Sequence, residues 1–252
     1  MNQAAVLAAF DEQLRNTVGD DARSERAGQV IRCLSEREDG WSGVEWSDLD
    51  ETTADDVIAE QVRYFGERGR SFEWKYYAYD RPADLPERLR AAGFQPDEAE
   101  ALMVADATEL PEIGPPSGVH FVEASDEDSL RQVQDVHDKA FGGDHGPMIE
   151  SMRERVATGA IVPVLALAGD TPVCASRVDF HPGTDFASLW GGGTVPEWRG
   201  RGIYRAMVSY RARLALARGY RYLRTDALPT SRPILEKLGF VQLTTTVPYT
   251  RS

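Results

Sequence analysis

The stretch "VPEWRGRGIYRAM", residues 195–207, places three arginines and two glycines within the seven residues Arg199–Arg205. Pro196 closes the segment before it. From Ile203 the apolar residues recur at helical spacing, with Ile203, Met207, Tyr210, Leu214 and Ala217 on one face. A glycine loop running into a helix leaves several backbone N–H groups unpaired and aimed at one spot, where the helix dipole also favours an anion. Arg199, Arg201 and Arg205 add side-chain charge suited to phosphate. The stretch reads as a phosphate cradle.

Its charge stands out from the rest of the chain. Eight arginines and no acidic residue lie between Arg199 and Arg224, while the whole chain carries −13, so the remainder carries −21. A solvated basic helix face would account for that reversal as well, and it is the glycines in front that favour the cradle. The acidic total argues against a general nucleic-acid binder. A hydrophobic share of 42% and a charged share of 27% are those of a soluble globular protein. No window approaches the roughly 18 apolar residues of a membrane span. Met1–Phe10 lacks the basic start of a signal peptide and reads as an amphipathic helix, with Val6, Leu7, Phe10 and Leu14 on one side. Cys33 and Cys174 are far apart and imply no disulfide framework. A cytoplasmic protein without a metal is the expectation, and nothing in the sequence fixes its oligomeric state.

The length of 252 residues suits two smaller cores. "ELPEIGPPSG" (109–118), with three prolines and two glycines, has the composition of a boundary. One pattern recurs on either side of it. In the first half, "SFEWKYYAYD" (71–80) alternates like a strand, "ADLPERLRAAGF" (83–94) is a short helix, and "ALMV" (101–104) is a strand. In the second half, "YRYLRTDA" (220–227), "SRPILEKLGF" (231–240) and "VQLTTTV" (241–247) repeat the order. Gly93 and Gly239 sit where a helix end takes a left-handed residue. The chain therefore reads as a duplicated α/β (α+β) unit: residues 1–110, a linker at 111–118, and residues 119–252. Helices near 126–141 and 146–157 precede three strands, 161–170, 172–180 and 185–195, joined by turns at Gly169-Asp170 and His181-Pro182-Gly183.

Three kinds of cradle compete. A P-loop needs a lysine followed by Ser or Thr, which is missing. A dinucleotide fingerprint finds Gly200, Gly202 and a distant acid, Asp226, but Arg205 stands at its third glycine and the strands form an antiparallel meander. Arg199-Gly200-Arg201-Gly202-Ile203-Tyr204 resembles the R-x-x-G-x-[GA] acetyl-CoA signature of the GNAT N-acetyltransferase superfamily. Val195-Pro196-Glu197-Trp198 resembles that family's lead-in, and "ILEKLGF" (234–240) its penultimate helix. The resemblance covers 119–252 and implies two tandem acyltransferase-like units, each a mixed, mostly antiparallel sheet flanked by helices. Tyr204 departs from the small last motif residue, and Leu235 stands where many members carry a tyrosine as general acid.

The resemblance implies acetyl-CoA, or a related acyl-CoA, held by Thr194, Val195, Arg199, Gly200, Arg201, Gly202, Ile203, Tyr204 and Arg205. It implies direct transfer to a primary amine of a small molecule or peptide. The thioester carbonyl would be polarised by a backbone N–H near Thr194 or Val195, where position matters more than side chain. Asp226, His181 and Asp179 are candidate proton acceptors, and Tyr204 or Ser231 candidate donors. Each has a plainer reading: Asp226 caps the turn before the helix at Ser231, His181 is a solvated loop residue, and Asp179 is a surface pair for Arg177. The first half lacks a cradle. Its helix from about Asp55 follows Asp48, Asp50 and Glu51, and is joined by Asp55 and Asp56, acids that suit a helix start and repel pyrophosphate. The aromatics Phe72–Tyr79 either line an acceptor site or form a sheet core. The expected protein is a GNAT-type enzyme with a degenerate first copy and an active second one. The rival reading is a non-catalytic acyl-CoA-binding or regulatory module, and a nicotinamide enzyme ranks third.

Overall fold

The computed structural model describes residues 1–18, 24–37 and 40–252. In chain order the first half holds α1 (Gln3–Phe10), β1 (Ser24–Ala27), β2 (Val30–Cys33), β3 (Gly43–Ser47), α2 (Ala54–Gly66), β4 (Phe72–Tyr77), α3 (Leu85–Ala91), β5 (Gln95–Pro96) and β6 (Glu100–Asp106). The second holds β7 (Val119–Glu123), α4 (Glu127–Phe141), α5 (Gly146–Ala157), β8 (Ile161–Ala168), β9 (Thr171–Phe180), β10 (Phe186–Thr194) and α6 (Ile203–Ala217). It closes with β11 (Tyr222–Ala227), α7 (Arg232–Leu238) and β12 (Val241–Arg251).

These elements form two compact units whose limits differ from the expected cut at 111–118. The N-terminal unit is Asn2–Leu102 with Asp226–Pro229 and Gln242–Ser252; the C-terminal unit is Met103–Thr225 with Thr230–Val241 and Met1. Strand pairing, not loop composition, sets the division. β12 runs antiparallel to β4 from Thr246↔Tyr77 to Arg251↔Phe72, carrying Pro248 inside it and outrunning the expected end at 247. The proline-rich segment stays with the C-terminal unit. Ile113 N–H donates to Ser209 Oγ at 2.9 Å, and that hydroxyl donates to Pro111 O at 3.0 Å.

In the N-terminal unit the strand order is β1-β2-β3-β4-β12, with β5 on β12. Only β3–β4 is parallel. Alternation along β4 sends Phe72 and Trp74 into a core with Ile58, Phe65, Leu89, Phe94 and Tyr249. Phe65 stacks on Phe72 at 4.2 Å, and Phe94 meets Phe72 edge-on. Of the two readings of these aromatics, the core is the one the packing supports. On the other face, Lys75 pairs with Glu100 at 2.6 Å and Asp226 at 3.4 Å.

In the C-terminal unit the order is β11-β10-β9-β8-β7, with the end of β6 beside β11. β10 and β11 run parallel, whereas β10–β9, β9–β8 and β8–β7 are antiparallel. The buried stripe of α6 is Ile203, Ala206, Met207, Val208, Arg211, Ala212 and Ala215. This corrects the expected face: Tyr210 and Leu214 are only half-buried and Ala217 is exposed. Small alanines let the helix lie close, and the buried Arg211 donates to Arg177 O at 3.0 Å. The opening helix is likewise narrower than expected, with Val6 and Phe10 buried and Leu7 and Leu14 half-buried.

The two helix ends that match in sequence match in geometry. Gly93 and Gly239 have φ of 91° and 108°. Phe94 N–H donates to Leu89 O at 3.0 Å and Phe240 N–H to Leu235 O at 3.1 Å. All four of those side chains are buried. Leu235 is therefore the counterpart of the core residue Leu89.

Candidate functional site

The cradle takes shape where β10 ends. Pro196–Trp198 makes a single 3-10 turn, and Gly200 and Gly202 follow with φ of 75° and 82°. A side chain at such φ costs about 1–2 kcal/mol, although open space surrounds both positions. Gly202 caps α6, and the first N–H taken up inside the helix is Ala206's, to Gly202 O at 3.1 Å. Among the described residues the amides of Ile203, Tyr204 and Arg205 thus have no partner at the helix start. Arg205 is exposed and has no partner among the described residues. Arg201 lies over the Trp198 ring at 4.4 Å. Arg199 is exposed, and its guanidinium donates from Nε to Thr194 O at 3.0 Å and from Nη2 to Ala140 O at 2.9 Å. It braces the loop onto β10 and α4. Ile203 and Tyr204 offer the loop only their backbone: Ile203 is in the core, and the Tyr204 ring lies against Gly192.

Behind the loop, β10 and β11 part. Their parallel register covers Phe186↔Tyr222, Ala187↔Leu223 and Ser188↔Arg224, and no later pair follows among the described residues. On its other side β10 stays paired with β9 to Thr194↔Cys174, the register shifting at a bulge between Trp190 and Gly193. Val195 N–H donates to Val173 O at 3.0 Å, so it is already used and does not serve as the expected carbonyl polariser. Strand alternation turns the neighbouring Thr194 N–H the opposite way, to the opened edge.

The glycine run fits between two helices. A Cβ on Gly191 would meet the His137 ring at 3.2 Å, and one on Gly193 would meet Phe141 at 2.7 Å and Ala140 at 3.0 Å. On the opposite face, a Cβ on Gly192 would meet Tyr204 at 2.6 Å. His137 Nε2–H donates to Gly191 O at 2.8 Å. Burial pushes that imidazole down to about 4, so it is neutral. At the α4–α5 corner, Asp138 Oδ1 accepts from both the backbone N–H of His145, at 2.8 Å, and its Nδ1–H, at 2.9 Å. Burial opposes the Asp138 charge, but these bonds hold its carboxyl below the usual range. The rings of His137, Phe141 and His145 lie within 5.6–6.0 Å of one another. Among the described residues no cluster could hold a metal, and no helix is long and apolar enough to cross a membrane.

No protein-family model matches the sequence, and no curated protein is significantly similar to it. Solved structures do match along nearly the whole chain. A GCN5-related N-acetyltransferase from Kribbella flavida is 15% identical over 99% of this chain and 95% of its own, with a TM-score of 0.75. A tandem GNAT protein from the clavulanic acid biosynthesis pathway is 12% identical over 99% and 93%, with a TM-score of 0.64. A GCN5-related N-acetyltransferase from Sphaerobacter thermophilus is 16% identical over 88% and 76%, with a TM-score of 0.62. The chain has the GNAT fold.

Within this GNAT fold the expected side chains are dispersed. The Asp226 side chain is buried and pairs with Lys75 at 3.4 Å. Burial disfavours the Lys75 ammonium, but Asp226, Tyr77 and Glu100 more than offset it and raise its pKa. His181 is no solvated loop residue: its Nε2 lies 2.7 Å from Ser188 Oγ, and burial, with Arg224 and Arg155 nearby, pushes it down to about 3. Asp179 does pair with Arg177, at 3.0 Å, but also with Arg155 at 3.2 Å, and it is buried. Ser231 precedes α7 without capping it through its side chain. Burial raises the Tyr204 phenol, which stays protonated beside Arg211. Sequence reasoning missed His137, Asp138 and His145. The run "FGGDHG" (141–146), glycine and acid after a predicted helix, was the available signal.

Proposed function

We propose that the C-terminal unit is an acyl-CoA-dependent N-acyltransferase, with acetyl-CoA as donor and a primary amine of a small molecule or peptide as acceptor. The observation that carries this is the opened edge of β10 leading, across Gly202, into the free amides of α6. Those amides and Arg205 suit a pyrophosphate. The Thr194 N–H, on the same edge, suits an amide or carbonyl oxygen of the acyl-bearing arm. Acyl-CoA supplies the acyl group as a thioester, and a fixed backbone donor on the glycine run would stabilise charge on its carbonyl oxygen.

The N-terminal unit binds no CoA in this reading. Before α2, Asp50 accepts the backbone N–H groups of Thr52 and Thr53 at 2.8 and 2.9 Å. Those bonds, with the Thr52 hydroxyl, lower the Asp50 pKa. The chain's own carboxylate takes the place an incoming phosphate would need. A degenerate first copy beside an active second one agrees with the whole-length likeness to a tandem GNAT protein. A cytoplasmic location and an acidic body that draws cationic acceptors belong to the same proposal.

Calorimetric titration of acetyl-CoA tests the reading. The wild type is expected to bind in the micromolar range. Arg205→Ala should weaken binding about 10-fold, or ~1.4 kcal/mol, and Gly202→Glu should abolish it, circular dichroism confirming that both variants fold. Folded wild type that binds no acetyl-CoA would overturn the proposal.

A further inference from the structure

The chain has four histidines, and their settings differ in a way that bears on the transfer step. His120 sits on β7, at the end of the strand order and away from the glycine run. His137 has Nε2 committed to Gly191 O, and its Nδ1 is buried with no partner. His181 has Nε2 committed to Ser188. Among the described residues His145 alone is held by a carboxylate, and its side chain is 24% exposed. The Asp138 carboxylate can only accept, so a proton lies on Nδ1, and in the neutral ring Nε2 is the nitrogen that carries the lone pair. This is the arrangement by which a carboxylate orients a histidine base in hydrolases on unrelated folds.

The corner that carries the pair is fixed. The His145 N–H and Nδ1–H share one Asp138 oxygen. Asp144 Oδ1 accepts from Gln134 Nε2 at 3.2 Å and from Gly146 N–H at 2.8 Å, tying the loop back to α4 and into α5. Gly142 and Gly143, with φ of 78° and 83°, permit the sharp turn between the helices. The His145 ring lies 5.6 Å from His137 and 6.0 Å from Phe141, the two side chains that pack on Gly191 and Gly193. Imidazole and glycine run are one side chain apart.

Resting on the acyltransferase reading, we propose that His145 is the general base of the transfer and Asp138 its positioning residue. The neutral amine nitrogen attacks the thioester carbonyl carbon, forming the C–N bond. His145 Nε2 takes the proton that nitrogen sheds. The C–S bond breaks, and the thiolate leaves with the sulfur electron pair. The proton on His145 then passes to the thiolate or to solvent, so amine and acyl-CoA give amide and free thiol with no other reactant.

Thiol release from acetyl-CoA, with a panel of primary amines and with water alone, is measured for wild type, His145→Gln, His145→Ala and Asp138→Asn. Calorimetry gives the acetyl-CoA affinity of each. His145→Gln should lower kcat about 100-fold or more while KM and Kd for acetyl-CoA stay as in wild type. Added imidazole should restore part of the His145→Ala rate, which a purely structural role would not allow. Nitrogen-15 NMR should find His145 as the Nδ1–H tautomer in wild type and show that preference lost in Asp138→Asn. Wild-type kcat in His145→Gln, an Nε2–H tautomer in wild type, or binding without thiol release would each overturn the assignment while leaving the acyl-CoA site standing. A wild type that binds no acetyl-CoA would remove both.

Discussion

At the scale of single residues, the buried histidines tie stability to pH. His137 falls from an ordinary 6.5 to about 4 because burial disfavours its charged form, and His181 falls to about 3. The unfolded chain takes up protons at these positions near pH ~6.5 while the folded chain does not. Their contribution is therefore complete above about pH 6.5 and is lost as pH falls toward about 4 for His137 and about 3 for His181. For His137 the full loss is about 3 kcal/mol. Denaturant melts at about pH 7 and about pH 5 should show the midpoint falling, with a shallower fall in His137→Phe. An unchanged midpoint would mean that His137 is protonated in the folded state.

At the scale of elements, the glycine run is a spacing device as well as an opening. Gly191 and Gly193 let α4 approach β10, and Gly192 admits the Tyr204 ring of α6 on the other face. The methyl of Gly193→Ala would overlap Phe141 and Ala140, so the strand and helix must shift. A cost of about 1–3 kcal/mol is expected from such overpacking. Trimming the half-exposed ring should relieve part of it, so Gly193→Ala with Phe141→Ala should be less destabilised than the sum of the single variants. Strict additivity in urea melts would show that the ring is not what the methyl meets. The same elements explain what their sequences reveal. The bounds of α4, α5, α6 and α7 were legible within a residue or two, because capping, glycine stops and helical spacing act over four or five neighbours. The buried face of α6 was not, because its alanines and Arg211 carry little hydropathy and are buried by what packs on them.

At the scale of the whole molecule, the units are not two successive stretches of chain. Gln242–Ser252 belongs to the N-terminal unit through the β4–β12 register, and Tyr249 fills part of that unit's core. A fragment 119–252, cut where composition points, would carry β12 without β4 and lack the Met103–Asp106 segment beside β11. It is expected to aggregate, because an unpaired strand exposes its amides and Tyr249. Size-exclusion chromatography against the full chain would show this, and a monodisperse, cooperatively melting fragment would contradict the division.

The features written into neighbouring residues are local: the glycine–arginine loop opening a helix, the order of strands and helices, the left-handed glycines at 93 and 239, and the acidic start of α2. Packing across the fold sets which groups remain available. Val195 N–H is consumed by Val173, 22 positions earlier in the chain by their numbering. Arg199 is tied to Ala140 O, 59 positions away, and Asp226 is paired with Lys75. Thr194 N–H, Arg205 and His145 are left. Helix caps and turns are set by neighbours along the chain, whereas a free amide or a poised imidazole is defined by partners brought in from far along it, through strand register and packing that no local pattern encodes.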